Sequence, residues 1–185
     1  MIELVRQPIA GLLASGVLLT GILGFMVVDR MLLLRNGREI VLPIRPVDPR
    51  DLFKGDFARL AYDISRLDAD LASGLGGGER RDQTVYVTLE RDTGETWKPV
   101  AVARTLPTGL SPNQIAIRGR TNRYASNLIN YGLESYYLPE GTGRRIEELA
   151  RKSQLSAIVA VDGRGRAAIK GLVIDGQRVY DEPLL

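Results

Sequence analysis

The sequence predicts a mostly β domain, sandwich or barrel-like, of about nine short strands and one short helix, carried on a single N-terminal transmembrane helix. Three observations predict it. Residues 8–28 form a run of 21 residues without a charge. The remainder breaks into short segments of alternating apolar and polar residues, separated by Gly, Pro and Asp turn signals. Only one later stretch, 142–152, carries a 3.6-residue apolar period.

The uncharged run, PIAGLLASGVLLTGILGFMVV, is long enough at about 1.5 Å per helical residue to cross roughly 30 Å of hydrocarbon. A cleaved signal peptide or a buried core helix would be the alternatives, but the run is long for a signal sequence and no A-x-A site follows it. Gly11, Ser15, Gly16, Gly21 and Gly24 provide small-residue faces suited to helix packing, although glycine is common in membrane helices generally. The division that follows is residues 1–34 as tail and anchor and residues 35–185 as a soluble mostly β domain. Orientation is argued two ways. Arg30, Arg35, Arg38 and Arg45 outnumber Arg6 and favour a cytoplasmic domain by the positive-inside rule. The very short N-terminal tail is that of a signal-anchor and favours the opposite side.

Beyond an exit segment at 31–38, residues 39–45 alternate with Ile40, Leu42 and Ile44 on one face as a first strand. Asp48 as N-cap, Pro49 at the first helical position, Asp51 three residues after the cap and Gly55 as terminator predict one capped helical turn. A strand over 56–64 follows, with Ala58, Leu60, Tyr62 and Ile64 on one face and Phe57, Arg59, Ala61 and Asp63 on the other. Residues 68–82 are glycine-rich and polar and read as a surface loop without phosphate-loop spacing. Strands at 84–90 and 97–103 form a hairpin around Asp92-Thr93-Gly94, and Pro99 assigns the second strand to an edge. A strand at 114–120 follows. Then come an aromatic strand within 131–141, a helix N-capped by Thr142, strands at 155–161 and 166–174 around Asp162-Gly163-Arg164-Gly165, and a last strand at 177–180 after Asp175-Gly176.

The motif G-D-F-A-R-L-A-Y at 55–62 resembles the one that names the GDYXXLXY family of bacterial membrane-anchored proteins, with Phe57 where that family usually has tyrosine. P-V-D-P-R-D-L-F at 46–53 and Y-G-L-E-S-Y-Y-L-P-E-G at 131–141 are similar to it too, and the resemblance extends over nearly the whole chain. The family carries no assigned biochemical activity. The resemblance implies an inner-membrane, single-pass protein of the bacterial envelope with its domain on the extracytoplasmic, periplasmic side.

Composition narrows the chemistry. With no cysteine and no histidine, thiolate chemistry, Cys-ligated zinc and the usual general base are excluded, and the sequence calls for no cofactor or metal. A net charge of +3 from 25 basic and 22 acidic residues is too small to indicate a nucleic-acid partner. Candidate binding residues are Asp56, Tyr62, Arg118, Arg120, Glu134, Tyr136 and Glu140. Arg118 and Arg120, with Arg123, Asn122 and Tyr124, could bind an anion or simply form a solvated strand end. Glu134, Glu140 and tyrosines 131, 136 and 137 could form a polar site or an aromatic strand on the core. Asp48, Pro49, Asp51, Gly55, Phe57 and Leu60 read as structural.

Two enzyme readings compete with a binding role. The Gly-Asp pair close after an Asp-Pro turn is similar to membrane-anchored serine proteases that use a Ser–Lys pair, yet Lys54, Lys98, Lys152 and Lys170 stand in no recognisable spacing to a serine, and Ser65 is the one serine close to the motif. Paired carboxylates, Glu134 with Glu140 or with Asp56, would suit a glycosidase-like hydrolase only at a fixed separation. The expectation is therefore a membrane-anchored accessory or binding protein acting with a multi-spanning membrane-protein partner, with residues 8–28 in the lipid bilayer and an envelope hydrolase as the alternative.

Overall fold

The computed structural model describes residues 3–46, 53–54, 57–73, 82–92, 96–122, 125, 127–137 and 154–182. Asp48, Pro49, Asp51, Gly55, Asp56, Glu140, the 142–152 helix and most of the glycine-rich stretch lie outside these residues.

One long helix, α1 (Glu3–Asn36), leads directly into the sandwich. Its apolar side chains are exposed from Leu12 to Val28, Leu12 at 75% and Phe25 at 72%, and the stretch Gly11–Asn36 is long and apolar enough to cross a membrane. The expected exit segment at 31–38 is instead helical as far as Asn36. No helix breaker intervenes before Gly37, and Leu33 and Leu34 gain burial by packing against Ala168. Gly37 alone separates α1 from β1, and its N–H donates to the Leu33 carbonyl at 2.9 Å.

The strands are β1 (Arg38–Pro46), β2 (Phe53–Lys54), β3 (Phe57–Tyr62), β4 (Thr84–Arg91), β5 (Trp97–Ala103), β6 (Gln114–Thr121), β7 (Ile129–Asn130), β8 (Ser135–Tyr137), β9 (Leu155–Val161), β10 (Ala167–Ile174) and β11 (Gln177–Asp181). A seven-stranded sheet runs β11-β10-β9-β1-β3-β2, with β8 also on β3, and a four-stranded sheet runs β5-β4-β6-β7. All the pairings are antiparallel. Both sheets contribute to one core. Ile40 and Leu42 of β1, Val159 of β9 and Leu172 of β10 join Val85, Val87 and Leu89 of β4 and Ile117 of β6. The architecture is thus a mostly β sandwich on an apolar helix.

Several elements follow from residue chemistry. The run L-S-A-I-V-A-V has no polar alternation because β9 is buried on both faces, between β1 and β10 with α1 packed against it. Asp175 at φ 48° and Gly176 at φ 81° make the two-residue turn whose twist matches a hairpin. Pro99 lies on β5, an edge strand as its missing N–H requires. A register shift opposite Thr88 and Leu89 leaves Val100 41% exposed, so Val100 does not share a buried face with Val102.

Three local expectations differ from the structure. The motif strand ends at Tyr62, and residues Asp63–Ser65 form a 3₁₀ turn that still buries Ile64. A short helix α2 (Ala69–Ser73) opens what reads as loop. The aromatic strand begins only at Ser135, because Glu134 folds its carboxylate back on the preceding turn. Leu133 and Tyr136 are therefore both buried, while Tyr137 is 73% exposed.

Candidate functional site

The motif strand and the tyrosine–glutamate segment meet. Tyr62, in the register of Ile44 on β1, donates its buried hydroxyl to the Leu133 carbonyl at 3.1 Å. Tyr131 donates to the Ile64 carbonyl at 2.7 Å. Glu134 accepts the Tyr131 N–H at 2.6 Å on one carboxylate oxygen and the Gly132 N–H at 2.8 Å on the other. Its own carbonyl accepts the Leu60 N–H at 2.8 Å. Gly132 sits at φ 77°, a conformation that favours glycine and lets both N–H groups converge on one carboxylate.

Burial pushes the Tyr62 and Tyr131 phenols above their ordinary pKa, and the Glu134 carboxylate adds to the effect. Both hydroxyls thus stay protonated, and each donates to a backbone carbonyl. This network stitches residues 131–134 to β3 and the 3₁₀ turn. Tyr136 belongs to a separate pair. It donates to Glu182 at 2.6 Å and meets Tyr180 edge to face, with ring centres 6.1 Å apart. Phe57 occupies a backbone position opposite Lys54 on β2 and Tyr137 on β8.

Arg118 and Arg120 lie two residues apart on the exposed face of β6. Between them Gly119 is inward, where a Cβ would come within 3.1 Å of the Tyr131 ring and 3.2 Å of the Asn130 carbonyl. Its lack of a side chain lets the 129–132 segment close against β6. The Arg118 N–H donates to the Gly165 carbonyl at 2.7 Å, drawing the β9–β10 turn onto the other sheet.

That turn is organised by Asp162. One of its oxygens accepts the N–H groups of Arg164 at 2.9 Å and Arg166 at 2.8 Å, and the other accepts Arg166 Nε at 2.7 Å. The far edge of the same guanidinium forks onto Asp29 of α1 at 2.5 and 3.0 Å. Burial acts to raise the Asp162 pKa, but the Arg166 guanidinium and the Arg166 and Arg164 N–H groups outweigh it and hold the carboxyl below its usual range. Hydrogen bonds to Asp29 and Asp162 raise the Arg166 pKa in turn.

Between α1 and this face runs a groove of about 370 Å³, walled by Phe25, Met26, Arg30 and Leu33 on the helix and by Arg118, Tyr131 and Arg166 on the domain. A second depression of about 250 Å³ adjoins it along Arg120, Thr84 and Asn130, sharing Arg118 and Tyr131. Arg30, Arg118 and Arg120 have no acidic partner among the described residues. Such a surface can receive an anion. Sequence reasoning reached Arg118 and Arg120 but not Arg30, Arg166, Asp29 or Asp162. The signal for the last three was a charge directly after the apolar run and an Asp-Gly-Arg-Gly-Arg turn, which on their own read as flank and hairpin.

The remaining candidates lie apart from this groove. Ser65 Oγ is enclosed and has no hydrogen-bond partner among the described residues. Lys98 pairs with Asp92, and Lys170 pairs with Glu39 at 2.7 Å. An apolar slot of about 190 Å³ lies between Pro43, Trp97 and Pro99. Among the described residues no group of three or more acidic side chains is placed to hold a metal ion.

A pH dependence follows from the charged pairs. Glu39 is held below its ordinary pKa, first by the hydrogen bond from Lys170 and then, against the opposing effect of burial, by the charges of Lys170 and Arg178. A carboxyl depressed in the folded state gives stability that is complete above its unfolded pKa and lost as pH falls through the folded value. The thermal midpoint of the detergent-solubilised chain should therefore be flat near neutrality and fall below about pH 4. Glu39→Gln with Asp162→Asn should lower the neutral midpoint and flatten the acid limb. An unchanged acid limb in that double variant would show that these pairs contribute nothing.

No curated protein and no solved structure matches the chain. The model of the GDYXXLXY protein family matches residues 19–172, from inside the apolar helix through β10 up to Leu172. The match takes in the helix–sheet junction, the Asp29–Arg166–Asp162 clamp and the buried motif residues Leu60 and Tyr62. The chain belongs to the GDYXXLXY protein family.

Proposed function

We propose that this is a single-pass accessory protein of the bacterial envelope. In this reading its helix is an uncleaved signal-anchor in the inner membrane, its sandwich lies on the extracytoplasmic side, and its partner is a multi-spanning protein of the same membrane. The observation that carries the reading is the rigid mount. An apolar helix, exposed from Leu12 to Val28, continues past one glycine into the central strand β1 and is clamped to the domain by Arg166 and by Leu33 and Leu34. A tethered hydrolase gains reach from a flexible linker. A domain held at a fixed angle to its anchor is useful where the partner is also fixed in the bilayer. The hydrolase reading has less support, since Ser65 Oγ is enclosed and both Glu134 oxygens are engaged by backbone N–H groups.

A photo-crosslinking residue placed in turn at Leu12, Leu13 and Leu18, all exposed and about 100–140° apart around the helix at 3.6 residues per turn, tests the partner. In native membranes one helix face should give a discrete protein adduct, absent when α1 is exchanged for an unrelated spanning helix of equal length. Adducts to lipid alone from every face, together with hydrolysis by the purified chain, would favour the enzyme. For orientation, protease treatment of sealed spheroplasts should remove the sandwich, and its survival would place it in the cytoplasm.

A further inference from the structure

We infer that the groove between α1 and the β6 face binds the phosphate headgroup of an anionic phospholipid, with Arg118 and Arg30 as its cationic ligands. The inference rests on the reading of α1 as a membrane-spanning helix.

Position is the first argument. Phe25 and Leu33, at the two ends of the groove's helical wall, are separated by about 12 Å along the axis at 1.5 Å per residue. The uncharged run ends at Val28, so the groove straddles the boundary between hydrocarbon and headgroups, whose layer is about 5–7 Å deep on each side. Phe25 and Met26 line its membrane-side part, where an acyl chain would lie, and Arg30, about one helical turn nearer the domain, shares the lining with Arg118 and Arg166.

Charge is the second. Asp29 and Asp162 both hold Arg166, which makes that guanidinium a structural clamp. Arg30 and Arg118 are exposed and have no acidic partner among the described residues, and Arg120 extends the positive face along β6. Two free guanidinium groups facing one lipid phosphate are complementary in sign and in donor geometry. The backbone of Arg118 is fixed by its bond to Gly165, so this cation is held against the helix by the fold.

The full chain in neutral detergent, titrated with phosphatidylglycerol, phosphatidylcholine or inorganic phosphate and read by native mass spectrometry, tests this. A one-lipid adduct with phosphatidylglycerol should form at lower concentration than with phosphatidylcholine. Arg118→Gln and Arg30→Gln should each reduce that preference roughly five-fold. Arg35→Gln removes the same charge from the last turn of α1 away from the groove and should leave the preference intact. Equal loss in Arg35→Gln, or no loss in Arg118→Gln, would overturn the inference. So would displacement by inorganic phosphate at matching concentration, which would identify a soluble anion site. Flotation with alkali-washed phosphatidylcholine vesicles tests the spanning reading separately. Wild type and all three variants should float, and failure of the wild type to float would defeat that reading.

Discussion

Substituting alanine for Gly37 is expected to destabilise the full chain by about 3 kcal/mol, the upper part of the range for forcing an atom into a filled site. A Cβ there would stand 2.6 Å from the Leu33 carbonyl oxygen, 3.0 Å from Ala160 Cβ and 3.0 Å from the Val161 N–H nitrogen. Two of these three neighbours are backbone atoms and cannot rotate away. Relief requires either the last turn of α1 or the first pair of β1, Arg38 with Val161, to move. Either shift pulls Leu33 and Leu34 from Ala168 and strains the Asp29–Arg166 fork. The thermal midpoint should fall by roughly 6–12 °C for a chain of this size. Spin labels on α1 and on the sandwich should also show a broadened distance distribution. A loss under about 1 kcal/mol, with a distribution already broad in the unsubstituted chain, would mean a pliable junction, and the argument from a rigid mount would fail with it.

How much of this could be read in advance depends on whether the cause was local. The alternation of Val85, Val87 and Leu89, the edge position imposed by Pro99 and the Asp175-Gly176 turn each express a constraint contained in a few adjacent residues, and each is found in the structure. The helical course of residues 31–36 was not legible, because it depends on Ala168, far along the chain, covering Leu33 and Leu34. The same holds for the clamp, whose partners Asp29 and Arg166 are 137 residues apart in sequence. Alternation also misled where a side chain competed with the ladder. Glu134 turns back onto two N–H groups, and Leu133 and Tyr136, three residues apart, are both buried. Tyr62 and Leu60 were legible as inward-facing, but the hydroxyl's acceptor on Leu133 was not. Arg118 and Arg120 could be named as cations, while the groove that gives them a use is formed by a helix from the other end of the chain.

Removing the Glu134 carboxylate separates scaffold from site more sharply than any other single change in the tyrosine–glutamate segment. Glu134→Ala should cost about 2 kcal/mol, the typical contribution of hydrogen bonds to a charged acceptor when one donor is exposed and can turn to water. The exposed donor is Gly132 N–H, whereas Tyr131 N–H is partly buried. Glu134→Gln keeps one carbonyl-type oxygen and presents an amide to the second N–H, so about half the loss should return. Tyr131→Phe leaves the Ile64 carbonyl without its donor and should cost about 1–2 kcal/mol. Because Tyr131 takes part in both contacts, the double variant should depart from additivity by at least about 0.5 kcal/mol. Urea unfolding of the full chain in detergent measures all four values. If the carboxylate is scaffold, adducts of the helix with the proposed membrane partner should weaken only as far as the folded fraction falls, and Glu134→Gln should retain them at low temperature. Full stability in Glu134→Gln with complete loss of the adducts would instead make the carboxylate a direct contact for the partner.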